Sequence, residues 1–351
     1  MADAFLQGRF WLIDNPSWLS ELIPIAQDKY YVVYPPLPAI VLMPLVLVFG
    51  TNFPQQYLAH FLGAALSVLV FKLSYLTKKD IKLALWISLT TGIGSIIWYL
   101  SSVGSVWYLG QISAAFFLTA ALVESLSKKR TLLTGLFIGA AYLSRIHTIL
   151  SLPVFIFLLK DKLKTRRDVL YFCLPILIFL GFNIWYNFVR YGVPYDKGYF
   201  LIPGTLSEPW FAKGILHPSY IIEDLKIAFW SFPKLLNEYP YIQPSWAGMS
   251  IWLTTPAFIF ALLAPFKEKL VKLLWLVILL IFLVVGMHGG TGFAQFGYRF
   301  AVDFYPFLIL LTIKGVMRSK LHWYHWALLF WSILVNLWGV LWINKFGWVG
   351  W

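Results

Sequence analysis

The chain has 351 residues, of which 60% are hydrophobic, 19% are aromatic and only 12% are charged, and its formal net charge is +13. So few polar side chains cannot cover the surface of a soluble globule of this length. The composition therefore excludes a soluble enzyme or binding domain and indicates an integral membrane protein. The mean hydropathy of +0.74 agrees with that class.

Successive apolar runs predict the architecture. A helix needs about 20 residues to cross a hydrocarbon core of about 30 Å. Backbone groups in lipid must be satisfied within the segment, which favours helices, and the alternating segments of a membrane barrel are not found in this sequence. We therefore predict an all-α, polytopic fold with about ten transmembrane helices, near residues 57–76, 83–100, 106–125, 131–144, 146–160, 168–190, 249–266, 270–287, 299–317 and 323–343.

Basic clusters occur at every second connection between these segments. Loops rich in Lys and Arg remain in the cytoplasm, and alternation is what an antiparallel bundle requires. The charge therefore indicates topology rather than a nucleic-acid partner, which would need a basic face on a soluble domain. The clusters are Lys78, Lys79 and Lys82; Lys128, Lys129 and Arg130; Lys160, Lys162, Lys164, Arg166 and Arg167; Lys267, Lys269 and Lys272; and Lys314, Arg318 and Lys320.

The same alternation assigns the remaining connections to the outer side. We expect one transmembrane domain over residues 1–351, and four outer pieces: the N-terminal stretch, the Ser101–Ser105 turn, the loop 191–248 and the segment 287–298. Within that domain, residues 1–56 are expected to form a first outer loop with an interfacial helix, and 57–190 and 249–351 two helical bundles. The aromatic loop, with Trp210, Trp230 and Trp246, fits either short interfacial helices or a sugar- or lipid-binding surface.

The N-terminal stretch is difficult to reconcile with this topology. Met1–Phe10 lacks the basic and apolar regions of a signal peptide. Three prolines, at 35, 36 and 38, interrupt the next apolar run and leave Ala39–Phe49 too short to cross, so this run is expected to be interfacial or re-entrant. Either a first transmembrane helix is missing from this sequence, or residues 31–50 cross and the N-terminus is cytoplasmic.

Polar residues in apolar helices are costly unless they are paired or functional. Gln295, Arg299 and Asp303 recur at a spacing of four, which predicts one helix face at the outer end of the 299–317 segment. Two interpretations remain open. Arg299 and Asp303 form an intrahelical pair that lowers the cost of burial, or Arg299 holds a phosphate through its planar guanidinium while Asp303 orients it.

Two further groups lie at predicted outer helix ends. Arg145 separates the apolar runs Leu132–Ser144 and Ile146–Leu159, which indicates a helix junction or a snorkelling arginine. On the 168–190 helix, Asn183, Asn187 and Arg190 share one face, where asparagines can also cap or bridge helices.

Metal and nucleotide sites have little support. A single cysteine, Cys173, excludes a disulfide framework and most thiolate metal sites, and the six histidines lack zinc-like spacing with a carboxylate. We predict no metal and no cofactor, although the pattern leaves a divalent ion open. The chain has no P-loop or dinucleotide fingerprint.

Several segments, in order along the chain, resemble a known family. They are Ala2–Phe10 (ADAFLQGRF), Tyr30–Pro38 (YYVVYPPLP), Trp107–Glu124, Gly135–Pro153 (GLFIGAAYLSRIHTILSLP), Tyr186–Tyr199 (YNFVRYGVPYDKGY), Tyr239–Pro256 and Gln295–Pro306 (QFGYRFAVDFYP). The set resembles the polytopic glycosyltransferases of the GT-C superfamily, in particular the bacterial branch related to protein O-mannosyltransferases and lipid A aminoarabinose transferases. The resemblance implies transfer of a sugar from a polyprenyl-phosphate-linked donor to a glycan, lipid or protein acceptor, among membrane lipids on the outer face of the bacterial plasma membrane.

The resemblance also implies site residues. Those expected around the lipid phosphate are Lys29, Tyr30, Tyr34, Arg145, Arg190 and Arg299, with Asp303 supporting Arg299. The family's catalytic base is a carboxylate in the first outer loop, which is expected upstream of Ala2, so Asp3 is only a stand-in. Two other functions stay open: a lipid-linked sugar flippase or transporter, which would favour midplane polar residues in two related halves, and an inactive homologue or assembly partner.

Overall fold

The computed structural model describes residues 1–16, 19, 21–292 and 295–346. It is mostly helical, with 66% of residues in helices and few strands. The predicted outer segment 287–298 includes residues 293 and 294, which lie outside the described residues.

In the first half of the chain, the described residues form nine α-helices. A 3-10 helix, Ile146–Ser151, leads directly into the eighth. The α-helices are α1 (Ala2–Leu6), α2 (Leu37–Phe49), α3 (Gln56–Thr77), α4 (Ile81–Gly92), α5 (Ile97–Val103), α6 (Val106–Leu126), α7 (Thr131–Ser144), α8 (Leu152–Leu159) and α9 (Arg166–Tyr191).

The second half begins with short elements and ends with longer helices. Its α-helices are α10 (Gly198–Leu201), α11 (Ile221–Trp230), α12 (Ile251–Thr254), α13 (Lys269–Gly286), α14 (Tyr305–Val316) and α15 (Trp323–Val340). Its 3-10 helices are Thr205–Ser207, Pro209–Phe211, Pro218–Tyr220, Pro256–Leu263 and Arg299–Asp303, and a π-helical turn, Leu341–Lys345, follows α15.

Within the part of the chain that the structure describes, five helices are long and apolar enough to cross a membrane: α3, α6, α9, α13 and α15 with its extension to Ile343. The pair α4 and α5 is bent by 49° and would be a sixth span if counted as one. The ten predicted segments therefore coincide with helical regions, but several are too short or broken. At 249–266, Pro256 restricts the preceding residue and begins a 3-10 helix.

The helix after the three prolines is also short. Helix α2 has 13 residues with Pro at its first turn, so it is about 20 Å long and falls short of a 30 Å core. Its last residues, Leu47, Val48 and Phe49, are exposed. This length agrees with the prediction that the segment does not cross on its own.

Helix α6 is the centre of the bundle. In the most apolar stretch of α6, 78% of the residues are buried, whereas the corresponding share in the other four long helices is 22% to 44%. Close helix packing uses small residues, as is usual where apolar tails cannot drive association. Gly135 of α7 lies directly against the backbone of Phe172 in α9, and Gly315 of α14 against that of Phe260.

Three of the five basic connections meet at one end of the bundle. Lys78, just after α3, donates a hydrogen bond of 2.8 Å to the carbonyl of Met317, just after α14. Lys314 forms an ion pair of 2.6 Å with Glu268, which precedes α13. The start of α6 and the ends of α7 and α9 therefore lie at the opposite end of their helices.

Two small antiparallel sheets were not expected from the sequence. Strands β1 (Leu22–Ala26) and β2 (Lys29–Val32) form a hairpin, and β3 (Lys234–Leu235) pairs with β4 (Ile242–Gln243). In the first hairpin Asp28 has a φ of 53°, a left-handed conformation that Asp tolerates in tight turns. The hairpin is packed through Leu22, Ile23 and Val32. The expectation of helices alone is therefore wrong in these two segments.

Helix α11 joins the segment 191–248 to the bundle. Its Asp224 is completely buried, and the Asp224 Cβ lies over Gly286 of α13, 3.6 Å from the point that a Cβ there would occupy. Burial raises the pKa of the Asp224 carboxyl to about 7. The Tyr298 hydroxyl is close enough to lower that pKa somewhat, although it makes no well-aligned hydrogen bond with either carboxyl oxygen.

The contact between α7 and α9 can be tested at Gly135. Gly135→Ala is expected to lower the melting temperature, because the added Cβ would overlap the Phe172 backbone, and overpacking typically costs about 1–3 kcal/mol. The matched control is Gly181→Ala on α9, where no atom lies within 4 Å of the added Cβ. Equal losses of melting temperature in the two variants would contradict this packing.

Asp224 predicts a pH-dependent stability. The folded pKa is raised above the value of an unfolded Asp, so stability should fall as pH rises from about 4 to about 7, while the unfolded chain ionises before the folded one. Asp224→Asn should remove most of that dependence. Thermal melts of both proteins between pH 4 and pH 8 measure the effect, and parallel curves would contradict a neutral, buried Asp224.

Candidate functional site

A cavity of about 210 Å³ opens among the start of α6 and the ends of α7 and α9. It lies at the end of these helices opposite the basic connections. Its volume is below the ~300–1,000 Å³ of pockets for drug-sized ligands, so it suits a phosphate or a sugar rather than a whole lipid. Its polar and aromatic lining comprises Tyr34, Trp107, Tyr142, Arg145, His147, Asn183, Arg190, Asp196 and Tyr199.

Arg145 and His147 meet the same carboxylate on one side of the cavity. Helix α7 ends at Ser144, and the extended backbone of Arg145 turns the chain into the following 3-10 helix. Arg145 Nη2 and Nε lie 2.8 and 3.1 Å from Asp303 Oδ2, and His147 Nε2 lies 2.8 Å from the same oxygen. Asp303 has no exposed surface. A buried carboxylate of this kind requires charged partners.

The predicted helix face of Gln295, Arg299 and Asp303 does not exist. Arg299–Asp303 is a 3-10 helix with about three residues per turn, so residues four apart do not share a face. Asp303 binds Arg145 and His147 instead of Arg299. Both expectations that paired Arg299 with Asp303 are therefore wrong.

Arg299 lies behind the cavity rather than in its lining. Its Nη1 donates to Gln111 Oε1 at 3.3 Å, and its carbonyl accepts from Gln111 Nε2 at 3.0 Å. The guanidinium also lies 4.8 Å from the ring centre of Phe300. The two residues join α6 to the segment that carries Asp303, which gives Arg299 a structural role close to the site.

Arg190 fixes another part of the cavity wall. Its Nη1 donates to the carbonyl of Val32 at 2.9 Å, and its Nη2 to Asn187 Oδ1 at 3.1 Å. Its guanidinium stacks on Tyr186 at 3.7 Å from the ring centre. Arg190 therefore joins α9 to the first hairpin while it lines the cavity.

Asn183 lies about two turns before Arg190 in α9. Its Nδ2 donates to the Tyr142 hydroxyl at 2.8 Å. The sequence pattern left open that an asparagine on this face bridges two helices. The contact is such a bridge, since it links α9 to α7 beside the cavity.

Glu21 belongs to this region and was missed by sequence reasoning. Its carboxylate accepts a hydrogen bond of 2.8 Å from Trp107 Nε1 and contacts the Tyr199 hydroxyl at 3.4 Å. Burial and then Glu21 raise the pKa values of the Tyr34 and Tyr199 phenols, so both stay protonated donors. Only the tertiary fold brings Glu21 here, although it is a carboxylate in the segment that was predicted to be the first outer loop.

His147 and Asp196 were also missed, although both fall within segments that carried the resemblance. His147 follows Arg145 by two residues, and a polar residue beside a helix-breaking arginine was a usable signal. Asp196 Oδ1 accepts from the Gly198 amide at 2.7 Å at the start of α10.

Besides Arg299 and Asp303, three further predicted residues are not in the cavity lining as the described residues define it. Lys29 is exposed, with its ammonium 5.3 Å from the Trp11 ring centre. Tyr30 pairs with Leu12 through backbone hydrogen bonds. The Asp3 carboxylate accepts from Gln7 Nε2 at 2.9 Å in the first helix.

Of the seven residues expected around the phosphate, the cavity thus collects Tyr34, Arg145 and Arg190, and Asp303 supports Arg145. Within the described part of the chain, no three His, Cys, Asp or Glu side chains are arranged to hold a metal ion.

No family model, curated protein or solved structure matches the chain. The family suggested by the sequence segments therefore stays a prediction. The geometry of the cavity is what bears on function.

Asp303 is expected to be essential for stability. Asp303→Ala leaves Arg145 and His147 beside an empty buried position, and losing one partner of a buried pair typically costs about 3–5 kcal/mol. The control is Glu124→Ala, which breaks the Arg130 pair, whose arginine is half exposed, and should cost less. Melting temperatures of the two variants measure this, and a smaller loss for Asp303→Ala would contradict it.

Proposed function

We propose that this protein is a membrane glycosyltransferase that moves a sugar from a polyprenyl-phosphate-linked donor to an acceptor at the outer membrane face. The observation that carries the proposal is the convergence of Arg145 and Arg190 on one small cavity at a helix end. Guanidinium groups bind phosphate oxygens through paired hydrogen bonds. A lipid-linked phosphate would reach them from the membrane boundary.

The aromatic lining supports a sugar next to that phosphate. Tyr34, Trp107 and Tyr199 form one wall, and Tyr34 contacts the Trp107 ring edge to face at 5.8 Å. Sites for small polar ligands combine such apolar surfaces with a few fixed polar groups. Glu21 fixes Trp107 and Tyr199 through their polar atoms, so this wall is held in one arrangement.

The proposed topology has about ten crossings, with the cavity on the extracytoplasmic side of a bacterial plasma membrane. Its support is the charge alternation in the sequence and the gathering of basic connections at the other end of the bundle. In this topology the segment 191–248 lies outside, beside the cavity. The acceptor, a glycan, a lipid or a protein, would approach from that side.

A flippase or transporter is less well supported. Transporters bind substrate near the midplane, at broken helices in related halves. Here the polar residues of the cavity are at the ends of α7 and α9 and at the start of α6. An interfacial reaction uses such a position, whereas transport across the bilayer does not require it.

The proposal is tested with the purified full chain in lipid nanodiscs and a panel of radiolabelled polyprenyl-phosphate sugars. Arg190→Ala and Arg145→Ala should each reduce transfer at least tenfold, because each removes a charged phosphate contact worth about 1.5–3 kcal/mol. Arg318→Ala is the matched control, since this arginine is exposed at the opposite end of the bundle, and it should transfer normally.

Protein that binds none of these donors and transfers no sugar, while it remains folded by its melting temperature, would reject the proposed function. Loss of transfer in Arg318→Ala equal to that in Arg190→Ala would reject the cavity as the donor site.

A further inference from the structure

His147 is the one histidine in the lining of the cavity, as far as the described residues define it. Its side chain is only 9% exposed, and its Nε2 is 2.8 Å from Asp303 Oδ2. Arg145 donates to the same carboxylate, which favours its ionised form. An ionised carboxylate only accepts hydrogen bonds, so the proton of a neutral His147 belongs on Nε2. The ring nitrogen left for a substrate is Nδ1.

We propose that His147 is the general base of the transfer reaction and that Asp303 is the residue that positions it. This assignment rests on the proposed glycosyltransferase function and adds the identity of the proton acceptor. A carboxylate that fixes the tautomer of an imidazole, so that the other nitrogen can take a proton, is an established way to activate a hydroxyl.

The step balances without a further reactant. The acceptor oxygen forms a bond to the anomeric carbon of the donor sugar, and the bond from that carbon to the phosphate oxygen breaks. The polyprenyl phosphate leaves with the bonding electron pair, and the hydroxyl proton moves to His147 Nδ1. The imidazolium that forms keeps its hydrogen bond to Asp303, which stabilises its charge.

The surroundings of His147 suit this role. The ring lies close to both Arg145, which opposes a charge on it, and Asp303, which stabilises that charge once the proton has been taken up. The other titratable groups in the lining are Tyr34, Tyr142, Tyr199 and Asp196. Burial keeps the pKa of Tyr199 high, and Asp196 is bound to the backbone. Among the lining residues, the His147 imidazole is thus the group best able to accept a proton near neutral pH.

Glu21 is the competing base. Its carboxylate already accepts from Trp107 and contacts Tyr199, and it lies behind these side chains rather than in the lining that the described residues form. It is therefore better suited to hold the aromatic wall than to receive a proton from the acceptor.

The test compares His147→Ala with His60→Ala in the transfer assay. His147→Ala should lower kcat about 10²- to 10⁴-fold with KM for the donor within about threefold, and added imidazole should restore part of the activity. His60 is exposed on α3, so its variant should match the unmodified protein. If His147→Ala does not fold, His147→Gln replaces it in the same comparison.

The pH profile separates a base from a structural residue. Transfer by the unmodified protein should fall on acidification as His147 becomes protonated, and His147→Ala should lack that acidic limb. Asp303→Asn should lower kcat while the limb remains. In ¹⁵N NMR spectra of the protein without substrate, His147 should be the Nε2–H tautomer, and the Nδ1–H tautomer would overturn the assignment.

Other outcomes are equally decisive. Transfer by His147→Ala within threefold of the unmodified protein, or a loss confined to KM, would overturn the base assignment while leaving the proposed function intact. Loss of the acidic limb in Glu21→Gln instead would assign the base to Glu21. An unmodified protein that transfers no sugar would overturn both proposals together.

Discussion

The burial of the Asp303 carboxylate is the interaction on which the site depends. A charge without exposed surface is tolerated only when its partners supply hydrogen bonds in fixed directions. Arg145 and His147 supply them from a different part of the chain, more than 150 residues away. Separating these side chains would leave the Asp303 or Arg145 charge unpaired in an apolar interior. The contact therefore holds the end of α7 and the start of α14 in one relative position, and with them this part of the cavity wall.

The part of the cavity wall that contains Arg190 is organised in a different way. Its hydrogen bonds go to a backbone carbonyl and an amide oxygen rather than to a carboxylate. These acceptors are neutral, and Arg190 forms no ion pair within the described residues, while the stacked Tyr186 ring restricts the guanidinium. Since Val32 belongs to the first hairpin, the same side chain also fixes the hairpin against α9. The position of Tyr34, two residues beyond Val32, follows from this attachment.

Sequence patterns could locate most of the helices because apolar length and flanking charge are local properties. The same patterns overestimated the number of complete spans, since a run such as 249–266 reads as continuous although Pro256 breaks it. Arg145, Arg190 and Tyr34 could be selected because polar residues at helix ends are conspicuous. The partners of Asp303 could not be predicted, because its spacing of four from Arg299 was interpreted as one face of an α-helix, whereas the chain adopts a 3-10 helix there. Glu21 could not be found either, since its neighbours Trp107 and Tyr199 are distant in sequence.

The charge balance around the cavity constrains what it can bind. In its lining, Arg145 and Arg190 face Asp196, and Asp303 offsets Arg145 from behind. The buried Arg299 and the partly buried Glu21, outside the lining, have opposite charges. A wall with so little net charge cannot offset the free-energy cost of removing water from a multiply charged ligand. A phosphodiester carries one negative charge, which Arg190 can meet because it forms no ion pair within the described residues, whereas a diphosphate or a sugar nucleotide would bring at least two. For the proposed transferase, this charge balance is therefore more compatible with a donor linked through a single phosphate.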